Sequence, residues 1–485
     1  MTPVALTALV LFSLYLRSRQ LHAWFWIDEG ISVGVAHHHW WSIPHVLHQD
    51  GSPPAYYMVL GLWIRVFGDS EAATHVLSLC FALASIPVAY FAGRSVFDRR
   101  TGAICAVLVA TVPYLTYYAQ ETRMYAFESL LSLVSIWAFV NGVLRGRRRW
   151  LVLLVPALTL QVYGHNWALF FCGGVALAAV VYARDELKPF LLAGGAVLLL
   201  YLPWLPTLLS QAKHTGAPWS TKPSFHELFT ASGAVLGGDA PFVALVVAAA
   251  AGLAVRPGRI EKAMGLIVVV TVVLAWISSQ IQPAWTTRYF SVVFGPVVLL
   301  AAAAVVRGRR VGTVALVVVL FLWWGFSVKN EKENAKAIAA QLAPSLHPGE
   351  LVISTHPEQV PVLRYYFGPG FRWATTLGPV RDDQVFDWRD AVTRLRNTRA
   401  KPELDKLLAT VPKGREFIVV APVFRDYRAW RATWTKLVWR KSQAWTWLLQ
   451  RDRRVRLVAH IVTDEIAAKK NYFKPIQAFV YRRVG

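Results

Sequence analysis

The stretch PAYYMVLGLWIRVFG, residues 54–68, decides how the rest of the chain is threaded. It is apolar enough to enter a membrane, but it is shorter than the roughly 20 residues a helix needs to cross about 30 Å of hydrocarbon, and Arg65 interrupts it. Read as a crossing, it moves every later connection to the other side and puts the arginine clusters outside. Read as an interfacial or partly inserted helix, it leaves those clusters in the cytoplasm, where short basic connections belong. We adopt the second reading, and the sidedness of everything downstream follows from it.

The chain has 485 residues, 55% hydrophobic and only 16% charged, with a mean hydropathy of +0.40. That balance excludes an ordinary soluble protein and predicts an integral membrane protein. A net charge of +23 by itself suggests nucleic acid, but many Lys and Arg residues lie in short connections between apolar runs, so no nucleic-acid partner is expected. Cys80, Cys105 and Cys172 fall inside apolar stretches and read as small buried hydrophobes, not as a disulfide framework or a zinc site. The first run, Val4 to Leu16, has no basic residue before it and no small-residue cleavage site after it, so it reads as a retained span.

Apolar runs predict spans near 3–16, 72–93, 101–118, 125–144, 150–163, 167–183, 189–207, 241–255, 263–279, 290–306 and 311–327, about eleven in all. Connections rich in Arg and Lys, at 94–100, 145–149, 184–188, 256–262 and 307–310, alternate with connections that carry acids, aromatics and single basic residues. The latter, 17–71, 117–125, 163–167, 208–240 and 282–290, are expected outside. Residues 1–327 thus form a membrane domain, with 17–71 as its first outer loop. Residues 328–485 turn polar, with strand-like runs at 351–354, 417–422 and 455–463, and predict an α/β domain on the outer face.

The unusual polar residues then gather on one side: Asp28 and Glu29 in WFWIDEGISV, Asp50 in QDGSPPAYY, Gln120, Glu121 and Arg123 in YYAQETRMY, His165 in YGHNW and Arg288 in TTRYF. Each alone is an ordinary loop residue; together they suggest a cavity opening outward. Arg123 either binds a phosphate with its planar fork or pairs with Glu121 to hold two helices together. Arg288 either does the same work or reaches to the headgroups, and His165 is either a helix-end residue or a participant.

The ordered segments WIDEG, DGSPPAYY, YYAQETRMYAF, VYGHNWALF and TTRYFSVVFGP resemble the membrane-embedded glycosyltransferases of the GT-C type, in particular bacterial relatives of the protein O-mannosyltransferases and of the lipid A aminoarabinose transferases. The resemblance covers most of residues 1–327 and little of the C-terminal domain. It implies sugar transfer on the outer face from a polyprenyl-phosphate sugar, to a glycan, glycolipid or protein hydroxyl. Asp28 is then the general base, Glu29 orients base or acceptor, and Asp50 matches a second acidic or His position before proline. Arg123 and Arg288 neutralise the lipid phosphate, His165 assists, and Gln120, Glu121, Tyr125 and Tyr289 of the same motifs belong to the substrate site.

That chemistry suits the residues. A hydroxyl acceptor needs a base within hydrogen-bond reach. A departing lipid phosphate gains negative charge that arginines stabilise, and single displacement without a covalent intermediate predicts inversion. No cofactor is required by this reading; a divalent metal is possible at His37, His38, His39, His45 and His48, although adjacent histidines cannot all face one ion from a regular element. The competing class is a transporter or flippase for a lipid-linked or anionic substrate, which calls for internal repeats and ionisable or broken segments near the midplane; neither is visible. The Ala, Val, Gly and Arg bias points to a GC-rich bacterial host and hence its plasma membrane.

Overall fold

The computed structural model describes residues 1–253, 257–326, 332–423, 431–463 and 475–485. These fall into two compact units: Met1–Leu21, Ser52–Leu209 and Lys222–Val328 form the first, and His22–Gly51, Ser210–Thr221 and Lys329–Gly485 the second. The boundary expected between 327 and 328 lies outside the described residues, as do Arg256 and the last residues of the runs 241–255 and 311–327.

In the first unit the described parts of the expected apolar runs are mostly helical, and 101–118 is split before Pro113 into Arg99–Thr111 and Pro113–Tyr118. Glu71–Val96, Tyr125–Leu144, Arg184–His214, Arg259–Ile281 and Thr287–Arg307 are each long and apolar enough to cross a membrane, and shorter apolar helices include Pro3–Arg17, Ala55–Phe67 and Ala168–Tyr182. The chain is therefore a multi-pass membrane protein. Local chemistry sets the helix starts. The Thr2 side chain accepts from the amide of Ala5 with Pro3 in the first turn, Ser70 accepts from Ala73, and Asp98 accepts from Thr101.

The basic connections meet at one end of this unit. Arg145 donates to the carbonyls of Ser95 and Val96, Arg148 Nε lies 3.1 Å from Glu186 Oε2, Arg259 donates to the carbonyl of Tyr182, and Arg307 pairs with Glu261. The helix Ala55–Phe67 belongs to the opposite end. Its first turn supplies Tyr57, whose hydroxyl accepts from Arg123 Nη1 at 3.1 Å, and its last turns supply Trp63, whose Nε1 donates to the carbonyl of Ala73 at 2.7 Å. Thr74 and Thr122, the neighbours of those two partners, share a 2.8 Å hydroxyl hydrogen bond. Both halves of the helix thus lie in one layer, and at 13 residues it is only ~20 Å long. The chain turns straight back at Gly68, whose φ of +79° suits glycine.

The second unit is built on a six-stranded sheet of order β3-β2-β1-β4-β6-β5: β1 Leu351–Ser354, β2 Arg372–Thr375, β3 Gly378–Pro379, β4 Glu416–Pro422, β5 Val455–Ile461 and β6 Ile476–Arg483. β1 pairs parallel with β2 and β4, whereas β6 runs antiparallel to both β4 and β5. All four residues of β1 are buried, as expected of a central parallel strand, and edge strand β5 is mostly exposed. Leu404, Leu407 and Leu408 of one helix and Trp445 and Leu449 of another pack against Leu351, Ile353, Phe417 and Val419 to form its core.

Into the same unit folds the start of the first loop. Residues 27–37 form a helix, IDEGISVGVAH, that packs on the helix Val360–Phe367. Two glycines one turn apart permit the approach. A Cβ on Gly30 would lie 2.5 Å from Val362 Cα, and one on Gly34 would lie 1.9 Å from the carbonyl oxygen of Gln384.

Candidate active site

The first unit brings five of the expected residues together around the ring of Tyr125, which is completely buried. Arg123 precedes it on the turn between the helices Pro113–Tyr118 and Tyr125–Phe139. That turn is fixed to the helix Glu71–Val96 by the Thr74–Thr122 bond and by Ser78 Oγ, which donates to the carbonyl of Glu121 at 2.7 Å. The guanidinium of Arg123 lies 5.9 Å from the Tyr125 ring centroid, and that of Arg288 lies 6.0 Å from the same centroid. Arg288 also lies over Tyr289, at 5.7 Å. Both of those residues ride on the 3-10 segment Thr287–Val293, held by Tyr114, whose hydroxyl donates to the carbonyl of Arg288 at 2.7 Å.

His165 completes the cluster. Its ring is 4.5 Å from that of Tyr289 and 6.3 Å from that of Tyr125, centroid to centroid. It sits where the helix Leu151–Gly164 ends, and position 164 has no room for a side chain, since a Cβ there would fall 1.8 Å from Glu128 Oε1. Trp167 donates its backbone N–H to His165 Nδ1 at 3.1 Å, which fixes the tautomer with the proton on Nε2. Burial holds this imidazole down to about 3, and the neighbouring guanidiniums of Arg123 and Arg288 push the same way. The cluster therefore holds two permanent cations and a neutral histidine on an aromatic floor, an arrangement suited to an anion.

Gln120 and Glu121 share the Arg123 turn and are buried. Gln120 braces structure: its Oε1 accepts from the Gln20 amide at 2.8 Å and its Nε2 donates to the Thr116 carbonyl at 2.9 Å.

Asp28, Glu29 and Asp50 belong to the second unit. Asp28 is partly exposed in the first turn of the helix Ile27–His37, and Asp50 is buried just after the 3-10 turn Leu47–Gln49. Glu29 is completely buried, and both of its carboxylate oxygens lie 2.9 Å from Lys332 Nζ. Two further bonds anchor the helix. The amide of Phe25 donates to the Tyr366 hydroxyl at 2.7 Å, and His38 Nε2 lies 2.9 Å from Asp382 Oδ2.

His38 also places Nδ1 3.0 Å from the Gly34 carbonyl, so both ring nitrogens face acceptors and the imidazolium suits the site. The Asp382 hydrogen bond raises the His38 pKa above its ordinary value. The rings of His45 and His48 lie 5.5 Å apart, and among the described residues no group of three or more His, Cys, Asp or Glu is arranged to hold a metal ion.

Sequence reasoning did not pick out Lys332, Asp382, Gly30, Gly34, Tyr57 or Tyr114. Only the glycine pair carried a local signal, a spacing of four on an apolar segment. Lys332 stands 303 residues from its partner.

Residues 51–206 match the family model described as dolichyl-phosphate-mannose-protein mannosyltransferase. Comparison with curated proteins finds no match. Among solved structures, ArnT from Cupriavidus metallidurans bound to undecaprenyl phosphate superposes with a TM-score of 0.66 at 14% identity, covering 98% of this chain and 97% of that one. Its apo state gives 0.64 at the same identity and coverage. The Archaeoglobus fulgidus oligosaccharyltransferase gives 0.53 at 12% identity over 86% of this chain and 69% of that one. A further structure of that archaeal enzyme, AglB, in complex with an inhibitory peptide and a dolichol-phosphate, gives 0.51 at 10% identity over the same shares.

Proposed function

We propose that this chain, which has the GT-C fold of membrane glycosyltransferases, moves a sugar from a polyprenyl-phosphate carrier to a hydroxyl acceptor of the cell envelope. The observation that carries this reading is the pair of guanidiniums on Tyr125 beside a neutral His165. Two guanidiniums at a largely buried aromatic floor offer planar forks that suit a phosphate-like anion, and a charge-bearing leaving group is what such a site stabilises best. The matching family model spans Arg123, Tyr125 and His165 and is named for a polyprenyl-phosphate sugar. Two of the similar structures carry undecaprenyl phosphate and dolichol-phosphate respectively, and both are polyprenyl phosphates.

In the reaction, Asp28 takes the proton of the acceptor hydroxyl as its oxygen attacks the anomeric carbon. The bond from that carbon to the phosphate oxygen breaks, and its electron pair leaves with the polyprenyl phosphate, whose growing charge Arg123 and Arg288 offset. His165, neutral, offers its Nε2 proton as a hydrogen bond. One displacement inverts the anomeric centre. Glu29, held by Lys332, keeps the helix of Asp28 in place; Asp50, Gln120, Glu121 and Tyr289 shape the substrate region.

The same reading threads the chain through the membrane about eleven times. It assigns residues 1–327 to the membrane domain and 328–485 to an α/β domain, with Asp28, the arginine cluster and the α/β domain on the extracytoplasmic side of a bacterial plasma membrane.

The test is transfer of radiolabel from a panel of polyprenyl-phosphate sugars to a membrane extract by purified protein in lipid, wild type against Asp28→Asn. Label in a new product with wild type alone supports the enzyme and names its donor. Near-native turnover by Asp28→Asn removes the base assignment, and no transfer from any donor by folded protein moves the weight to a flippase.

A further inference from the structure

We propose that the basic end of the membrane unit holds a site for an anionic phospholipid, remote from the Arg123 and Arg288 cluster. One face of the helix Asp239–Leu253, made by Phe242, Leu245, Val246 and Ala249, lines an apolar cavity of about 400 Å³ that ends at Glu261, Lys262 and Arg307. The lining residue Gly265 stands on open space, for a Cβ built on it meets no atom within 4 Å. Glu261 and Arg307 also line a second, more polar cavity of about 490 Å³, together with Asp98, Thr101 and Arg259. The Glu261–Arg307 pair thus forms a wall common to an apolar groove and a charged chamber. Each space has the size of a small-molecule site.

The charges favour an anion. The Asp98 carboxylate accepts from the backbone and hydroxyl of Thr101, at 2.8 and 3.3 Å, as the cap of the helix Arg99–Thr111. The Glu261 carboxylate is paired with Arg307 and lies against Gly258, where a Cβ would come within 2.6 Å of it. Both acids are engaged inside the protein, and Arg259 and Lys262 add two more cations to Arg307. A soluble phosphate would leave the groove empty; a lipid fills it, with acyl chain along the helix and phosphate at its charged end beside Lys262 and Arg307, with Arg259 across the shared wall. The helix Phe294–Arg307 alone is 14 residues, or ~21 Å, and separates this end from Arg288. The proposal does not depend on the transferase reading.

The test is native mass spectrometry of the full chain in detergent, with phosphatidylglycerol or phosphatidylcholine of identical acyl chains. Wild type is expected to retain phosphatidylglycerol preferentially, and Arg259→Gln with Lys262→Gln to lower that retention about fivefold per cation. Gly265→Phe fills the groove and is expected to lower retention of both lipids. A control pair at the same end but outside both cavities, Arg149→Gln with Lys188→Gln, should leave retention unchanged. Equal retention of the two lipids by wild type, an equal loss in the control pair, or full retention by a normally melting Gly265→Phe overturns the site.

Discussion

Lys332 Nζ lies 2.9 Å from both carboxylate oxygens of Glu29, with the carboxylate completely buried and the ammonium nearly so. An acid next to the proposed base is therefore spent on holding its helix to the sheet unit. Breaking a buried pair from one side strands a charge and costs about 3–5 kcal/mol. Lys332→Met is expected to lower the thermal midpoint sharply, and the double variant Glu29→Gln, Lys332→Met to recover much of the loss. A double-mutant cycle that is additive would show the two residues to be energetically independent.

Arg123 and Arg288 present planar forks that a lysine does not reproduce. Arg123→Lys is expected to lose about 10²-fold in turnover despite keeping the charge, in the range found for removing one donor to a developing oxyanion. The loss should appear in kcat/KM for the lipid donor while the midpoint of unfolding moves little. A variant that unfolds earlier yet turns over normally would make Arg123 a packing residue.

His165 is buried beside two guanidiniums and stays neutral until about 3. It therefore contributes no ionisation between pH 5 and 9. His165→Asn is expected to lower activity without moving either limb of the pH profile; a limb that disappears with this substitution would assign a titration to His165.

Much of the fold was legible because apolar length and basic connections are local properties: runs such as 263–279 announce a helix without reference to any partner. Strands β1 and β4 were visible as short β-branched runs, LVIS and FIVVAP, and β5 as VRLVAHIVT. Strand β6, IQAFVYRR, ends in two arginines, and β3 has only two residues, so neither carried a readable pattern. In the site, the motifs pointed to Arg123, Tyr125, His165, Arg288 and Tyr289, and these five meet in the first unit. What sequence could not supply was pairing at a distance. Glu29 stood out as an acid while its partner Lys332 lay in a different segment, and the histidine run left a divalent metal possible while Asp382, the partner of His38, was 344 residues away.

That last pair is a pH-dependent clasp. The Asp382 hydrogen bond raises the His38 pKa above 6.5, so its stabilisation is complete below that value and is lost as pH rises through the folded one. Burial raises Asp382, but the hydrogen bonds from His38 and the Gln384 amide, together with the His38 charge, outweigh it and the net shift is downward from 3.8. Its contribution is thus present above 3.8 and lost as pH falls through the lower folded value. Amide exchange of residues 27–37, corrected for its intrinsic pH dependence, is expected to quicken as pH rises from 6 to 9. Asp382→Asn should abolish that change; an unaltered response would detach the clasp from the helix.

The two glycines at 30 and 34 leave backbone facing backbone, and such a seam has no rotamers with which to absorb a shift. A segment that looks like a tether in the sequence is, at Asp28, a helix locked to the helix Val360–Phe367. Under the proposed function, change accumulating in the C-terminal half reaches Asp28 through this seam, a route by which descendants of this chain alter acceptor choice while Arg123 and Arg288 keep their own contacts.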